Sequence, residues 1–505
     1  MTAETDANAR AEIAGPEPAA EHGLWSAPRR ALTVGLVLTI TFIATEALAV
    51  VTIMPVVARD LHGLDLYGWV FSAFMLGDII GIVAAGRQAD RYGPARPFIA
   101  GVVLFGTGLA IAGLAPSMLV LVAGRALQGI GAGAVPAVAY VAIGRSLPER
   151  LRARMMAVLS TAWVLPGLAG PAISAAVASV LGWRWVFLGL LPLVAVTASM
   201  AMPALLRLGQ RPAASAGSAS AGPASRGADE ATGSAPAGTE HRIGHGLAAA
   251  AGAGLILAGL TLAAGGHLLL AGLGVVAVGA TVLGLALRQL LPAGTFSARR
   301  GLPAVILCRG LLTFAFFGAD AYVTLTITTI RHHTPVFAGL AVTGATLSWT
   351  AGAWVQSRLN GIWEARRLIR SGLAFIVTGL AAMALVLLPA TPVTVGLAAW
   401  TVAGFGMGMA YAPLSLLMLR AAPTGREGWA SASLSLSDVL GTAIGIGIGG
   451  AAVTAANAHG WPLASGVAVA FAVAGLGAAV LAVASRRLPL VLTGMAPAPS
   501  QPVPE

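Results

Sequence analysis

Long apolar runs separated by short polar breaks fill most of the chain, and within the runs there is no strict two-residue alternation. A run of about 20 apolar residues is long enough to cross a hydrocarbon core as a helix. Strands of an outer-membrane barrel would be about 10 residues long and alternating, which these runs are not. Lipid offers no partner to a backbone amide, so helices are the form such runs take. The runs fall at 31–58, 68–88, 97–114, 118–144, 155–181 and 185–206, then 246–264 and 268–287, then 302–330, 336–357, 368–388, 393–419, 428–455 and 462–484. The pattern predicts an all-α polytopic membrane protein of about fourteen spans in a six, two, six order.

The breaks set the expected organisation. Residues 1–30 read as a disordered cytoplasmic tail, 31–206 as an N-terminal six-helix half, and 207–245 as a cytoplasmic linker. That linker is rich in Ala, Ser, Gly and Pro and cannot bury a core. Residues 246–288 read as two extra spans, 289–300 as a cytoplasmic connection, 301–487 as a C-terminal six-helix half and 488–505 as a disordered tail. The first run is too long for the core of a signal peptide and is expected to remain as the first span.

Composition narrows the function. Only 10% of residues are charged, against about a quarter in soluble domains. The net charge is +11, and all the basic residues are arginine. They lie between the apolar runs without interleaved aromatics, which fits positive-inside topology rather than nucleic-acid binding. A cytoplasmic N-terminus places Arg87, Arg91 and Arg96, Arg145 to Arg154, Arg207 and Arg211, Arg299 and Arg300, Arg366 to Arg370, and Arg486 and Arg487 inside. It leaves Arg59, Arg184 and Arg331 outside, and puts both termini in the cytoplasm. The single cysteine, Cys308, excludes an internal disulfide and a cysteine-based zinc site. Without lysine there is no P-loop, so an ATP-driven pump is excluded. His332 and His333 lack an adjacent carboxylate, and no metal site is expected.

Charges inside the runs are the candidate chemistry: Glu46, Asp78, Arg125, Asp320 and Asp438. An isolated arginine in a bilayer costs about 3 kcal/mol or more, so Arg125 needs a partner in the bundle interior. A carboxylate in a low dielectric titrates closer to neutral pH than one in water. That is what a proton-coupled cycle requires, and it makes Glu46 and Asp320 the leading proton carriers. Asp78 and Asp438 are a gating or second proton site, or are satisfied by serines such as Ser435 and Ser437.

Four motifs carry a family resemblance. The loop Gly86-Arg-Gln-Ala-Asp90-Arg91-Tyr-Gly93-Pro-Ala-Arg96 resembles the signature loop of the major facilitator superfamily, with Pro94-Ala95 where basic residues usually stand. Its faint echo is Gln356 to Arg366 in the second half. Gly124-Arg125-Ala-Leu-Gln128-Gly129 resembles the family's fourth-helix motif. Pro166-Gly167-Leu-Ala-Gly170-Pro171 resembles the antiporter motif in part, with Pro166 at its first glycine and Ser174-Ala175 in place of its final pair. Trp183-Arg-Trp-Val-Phe187 is similar to a string typical of the fourteen-span drug:proton antiporter branch. Glu46, nine residues before Pro55, stands where that branch usually has aspartate, and Val51 where many members have asparagine.

The resemblance implies two halves that rock about a cavity lined by the first, fourth, seventh and tenth core helices. Glu46, Arg125, Gln128 and Asp320 fall on those helices. It implies that the second and eleventh core helices, carrying Asp78 and Asp438, meet across the halves. Gly86, Asp90, Arg91, Gly93 and Arg96 would form a conformational switch. Gly167, Gly170 and Pro171 would mark the antiporter helix, and Phe316, Tyr322, Met407 and Tyr411 would line the cargo cavity. The expected activity is proton-driven export of small amphipathic molecules across the cytoplasmic membrane, without a cofactor or a nucleic-acid partner, by a monomer. The rivals are a dedicated exporter of one endogenous metabolite or lipid, and a transport-inactive receptor or membrane enzyme.

Overall fold

The computed structural model describes residues 23–92, 95–146, 151, 155, 158, 162, 164–209, 238–266, 268–360, 362–423 and 426–489. Of the predicted tails and linker, 1–22, 210–237 and 490–505 lie outside the described residues. Helices dominate, and no named strand occurs among the described residues. The first six long helices are α1 Ala27–Asp60, α2 Tyr67–Tyr92, α3 Ala95–Gly113, α4 Met118–Ser146, α5 Val164–Val180 and α6 Leu191–Gly209. Two central helices follow, α7 Gly238–Ala264 and α8 Leu269–Leu290. The last six are α9 Leu302–Leu325, α10 Pro335–Leu359, α11 Ala365–Leu385, α12 Thr394–Ala421, α13 Glu427–Ala458 and α14 Leu463–Ala484.

Local sequence explains several of the ends. Proline in the first turn of α1, α9 and α10 sits where a missing amide costs nothing. Thr334 caps α10 by accepting from the Phe337 amide at 3.3 Å. Arg59 closes α1, where a cation meets the negative end of the helix dipole. α9 runs on into a π-helical turn, Thr326–Ile330.

Twelve helices among the described residues are long and apolar enough to cross a membrane. The expected count of about fourteen is therefore not reached; two further apolar helices, Val164–Val180 and Arg184–Met200, are shorter than a span. The reason is local. Much of the first part of the predicted run 155–181 lies outside the described residues. The run 185–206 is broken at Gly189 and Leu190, between a five-residue helix, Arg184–Leu188, and α6. α7 also begins at Gly238, inside the predicted linker.

Packing brings α2 and α3 onto α4, and α1 onto α5 and α6. In the second set, α10 and α11 pack on α12, and α9 on α13 and α14. The two sets meet along two seams, α2 with α13 and α5 with α10. α7 and α8 lie against each other through paired glycines, Gly252 with Gly279 and Gly259 with Gly272. α7 rests on both α2 and α13, and the Trp69 indole donates to Thr261 Oγ1 at 3.0 Å. α8 turns apolar side chains outward; Leu270 is 84% exposed, as a lipid-facing residue should be.

Candidate functional site: buried charges between the helices

The Gly124-to-Gly129 motif explains how Arg125 reaches the interior. A Cβ on Gly129 would lie 2.0 Å from the carbonyl oxygen of Phe74, so only glycine lets α4 come this close to α2. That approach lays the Arg125 guanidinium over the Phe74 ring, 4.2 Å from its centre. Arg125 Nε donates to the Val70 carbonyl at 3.3 Å. One of its terminal nitrogens donates to Gln128 Oε1 at 2.6 Å and forms an ion pair with Glu46 Oε1. Glu46 and Gln128 are fully buried. Glu46 therefore faces the bundle interior and not the lipid. Glu46 Oε2 and Gln128 Nε2 are left without hydrogen-bond partners, one free acceptor and one free donor in the same cluster. A buried polar atom left unpaired is costly, and it commonly marks a place where something binds or exchanges.

A second cluster lies in the other set. Arg309 on α9 grips Asp438 on α13 with two nitrogens on Oδ2, at 3.2 and 3.0 Å. Its third nitrogen donates to the Tyr411 carbonyl on α12 at 2.8 Å, and the Tyr411 hydroxyl donates to Asp438 Oδ2 at 2.9 Å. The guanidinium lies over the Tyr411 ring. Sequence reasoning missed Arg309, although an arginine inside the run 302–330 was signal enough. Of the serines expected to satisfy Asp438, Ser437 donates instead to the Ile306 carbonyl. Asp78 on α2 is close enough to Asp438 for their charges to interact across the seam.

Asp320 is held by the Trp400 indole at 2.6 Å. Phe316 stacks on Trp400 at 5.1 Å, and Trp349 bridges Phe316 to Tyr411. Phe316 and Met407 are buried within this packing. Tyr322 lies at the end of the bundle remote from the N-terminus of α1, called here the far end. There it donates to the Ile446 carbonyl at 2.5 Å and packs beside Tyr67.

The far end is sealed between the two sets. Tyr67 donates to the Ala321 carbonyl at 2.8 Å, and Ser72 to the Ala443 carbonyl at 2.9 Å. Thr454 donates to the Asp65 carbonyl and Asn457 to the Asp65 carboxylate. Gly68 and Gly450 touch backbone to backbone; a Cβ on Gly68 would stand 2.7 Å from Gly450 Cα.

On the antiporter-type helix, Gly167 abuts Thr346 of α10, Pro171 packs beside Gly339, and Gly170 stands near Leu48 of α1. Trp183 is buried, and its indole donates to Asp60 at 2.7 Å, with Arg184 at 3.4 Å from the same oxygen. Trp185, by contrast, is exposed. Gly86, Asp90 and Arg91 fall in the last turns of α2, Arg96 is exposed at the start of α3, and Gly93 lies outside the described residues.

The family description "Major Facilitator Superfamily" matches residues 34–446, most of the chain. The chain belongs to the major facilitator superfamily. A probable multidrug-efflux transporter of Mycobacterium tuberculosis strain H37Rv is 27% identical to this facilitator over 470 residues, 90% of this chain and 95% of the relative. The Bacillus subtilis multidrug resistance protein 3 is 32% identical over 156 residues, 31% of this chain and 30% of the relative. Among solved structures, a peptide transporter in complex with alafosfalin aligns with a TM-score of 0.62 at 13% identity, over 94% of this chain and 96% of that one. A bacterial homologue of the human lysosomal transporter Spinster aligns at 0.59 and 13% identity, over 94% and 99%. At these identities the structures attest the fold alone. This facilitator is a multi-pass membrane transporter and not an enzyme.

Proposed function

We propose that this protein exports small amphipathic molecules across the cytoplasmic membrane in exchange for protons, by alternating access. The observation that carries the reading is the buried Glu46–Arg125–Gln128 cluster, in which Glu46 has one oxygen tied to a cation and one oxygen free. Protonating Glu46 dissolves the ion pair and frees Arg125. Losing the proton restores the pair. A cycle needs two such states, each linked to a different opening of the bundle. The sealed far end is one of those openings held shut. One proton moving down 100 mV supplies about 2.3 kcal/mol, enough to support a useful cargo gradient. Efflux direction is supported by the printed names of the relatives and by the partial antiporter motif on α5. The order of six, two and six helices supports the fourteen-span drug:proton antiporter branch, and the arginine distribution supports cytoplasmic termini. In this reading the 86–96 loop is the conformational switch, Asp320 is a second carboxylate on a cavity helix, and the working unit is a monomer.

The test is flux by purified protein in vesicles with an imposed pH gradient, using a panel of cationic and neutral amphipathic compounds. Wild type should accumulate several unrelated compounds against the gradient, and Glu46→Gln should equilibrate cargo without concentrating it. Uphill flux that survives Glu46→Gln, or flux indifferent to the gradient, would remove the coupling. Transport of one compound only would favour a dedicated exporter.

A further inference from the structure

The α2–α13 seam changes character along its length. From the far end inward it is closed by Asp65 with Thr454 and Asn457, then Gly68 on Gly450, then Ser72 on the Ala443 carbonyl. Asp78 lies six residues beyond Ser72 along α2, and Asp438 five residues before Ala443 on the antiparallel α13. At 1.5 Å per residue these are about 9 and 7.5 Å, so the two carboxylates stand at one level, just past the last sealed layer. They come from different helix sets, and their charges interact.

Their surroundings are unequal. Asp438 is held by Arg309 and by the Tyr411 hydroxyl. Asp78 has no basic or hydrogen-bonding partner among the described residues. The other charged groups on neighbouring elements are engaged or distant. Arg125 on α4 is paired with Glu46. Asp65 is bound by Asn457 at the far end. His245 on α7 stands next to Gly246, which lies against Val83, beyond Asp78 along α2. Arg96 opens α3 at the other end of α2. The cluster thus holds two carboxylates and one guanidinium.

We propose that Asp78 and Asp438 form a proton site shared between the two helix sets, in which a proton on Asp78 lets α2 and α13 close at this level and its loss drives them apart. Arg309 is a positioning residue: it compensates Asp438, so the exchangeable proton belongs to Asp78. The protonated carboxyl of Asp78 donates to Asp438, a bond that exists only while the seam is shut. When the proton leaves, a second negative charge stands across the seam from Asp438, whose own charge Arg309 already holds, and the near end opens. The site is separate from Glu46, on different helices. It rests on the proton-coupled reading above, and the experiment separates the two.

The experiment places spin labels at Gln88 and Ser431, both exposed, one toward the near end of α2 and one of α13. The protein is full length, in lipid nanodiscs, with Cys308 replaced by serine. Pulsed dipolar spectroscopy then reads the distance between the labels at pH 5 and pH 8. Wild type should favour the shorter distance at pH 5, with the two populations exchanging by up to about tenfold per pH unit for one linked proton. Asp78→Asn should hold the short distance at both pH values, and Asp78→Glu should restore the response. Asp438→Asn frees Arg309 to pair with Asp78 and should also hold the short distance at both, which keeps the test open if Asp78→Asn fails to fold. Glu46→Gln should offset the two populations at both pH values but keep their exchange with pH, because the Asp78 proton is still there to leave. A wild-type distance that ignores pH, or a full response in Asp78→Asn or Asp438→Asn, overturns the proposal. Loss of the response in Glu46→Gln overturns it too, while leaving the Glu46 coupling intact. A normal response together with gradient-indifferent flux would sink the coupling and leave this site standing.

Discussion

The Glu46–Arg125 pair makes a quantitative prediction through a double-mutant cycle of Glu46→Gln, Arg125→Met and the two together. The side chains are 0% and 4% exposed, so solvent screening gives no discount. Removing either member leaves a buried charge without its partner, which costs about 3–5 kcal/mol. Replacing both removes the buried charges as well as their attraction, and such replacements are about neutral or stabilising. The coupling energy should therefore reach about 3 kcal/mol or more, far above the roughly 0.3–0.5 kcal/mol scatter of independent sites. The two single variants should differ in acid. With Arg125→Met the orphan is a carboxylate, which protonation neutralises, so its deficit shrinks from pH 8 to pH 5. With Glu46→Gln the orphan is a guanidinium, which stays charged, so its deficit persists. Unfolding of the four purified forms, followed through intrinsic tryptophan fluorescence in one detergent at both pH values, measures this. Additive losses, or an Arg125→Met protein as stable as wild type, would show that the pair is not coupled as the geometry requires.

Three further outcomes follow from the geometry. Arg309→Met should cost about 2–3 kcal/mol, less than the loss of Arg125, because Asp438 is 21% exposed and water can take up part of its charge; the same unfolding assay reads it. Gly450→Val should leave expression intact and abolish transport, since its Cβ would stand 2.8 Å from Gly68 Cα and hold the far end open; alkylation of a cysteine placed at Asp65 should rise in parallel. Trp400→Phe keeps the ring against Phe316 but removes the donor to Asp320, a charge-assisted hydrogen bond of about 1.5–3 kcal/mol; the pH profile of transport should change while binding of an uncharged cargo does not.

The helical fold was legible because apolar run length is a one-dimensional property. The places where it misled are where length fails as a guide. The break at Gly189 and Leu190 falls where every neighbouring residue is apolar, and α7 begins in a polar segment because Gly238 to His245 can still continue a helix once the rest is packed. The Glu46–Arg125 contact was readable in outline, since a buried cation demands an anion, and Gln128 stood with Arg125 in the same motif; what no spacing showed is that Glu46 and Gln128 share one nitrogen of Arg125. Arg309 was the opposite case. Its signal stood in plain view, and its partner is 129 residues away on α13, a distance no pattern of spacing bridges. The Trp183 indole, buried at the end of α1, reaches back to Asp60, a contact across 123 residues that the string around Trp183 does not show.

The central hairpin gives the molecule two unlike flanks. Because α7 lies across both α2 and α13, whatever parts those helices must shear the hairpin against one of them, and acyl chains are kept off that groove. On the opposite flank, Leu165, Leu168 and Ile173 of α5 and Leu340, Leu347 and Trp354 of α10 stand exposed, with no third helix laid over them among the described residues. A solute dissolved in the bilayer therefore meets a shuttered wall on one side and an unshuttered one on the other.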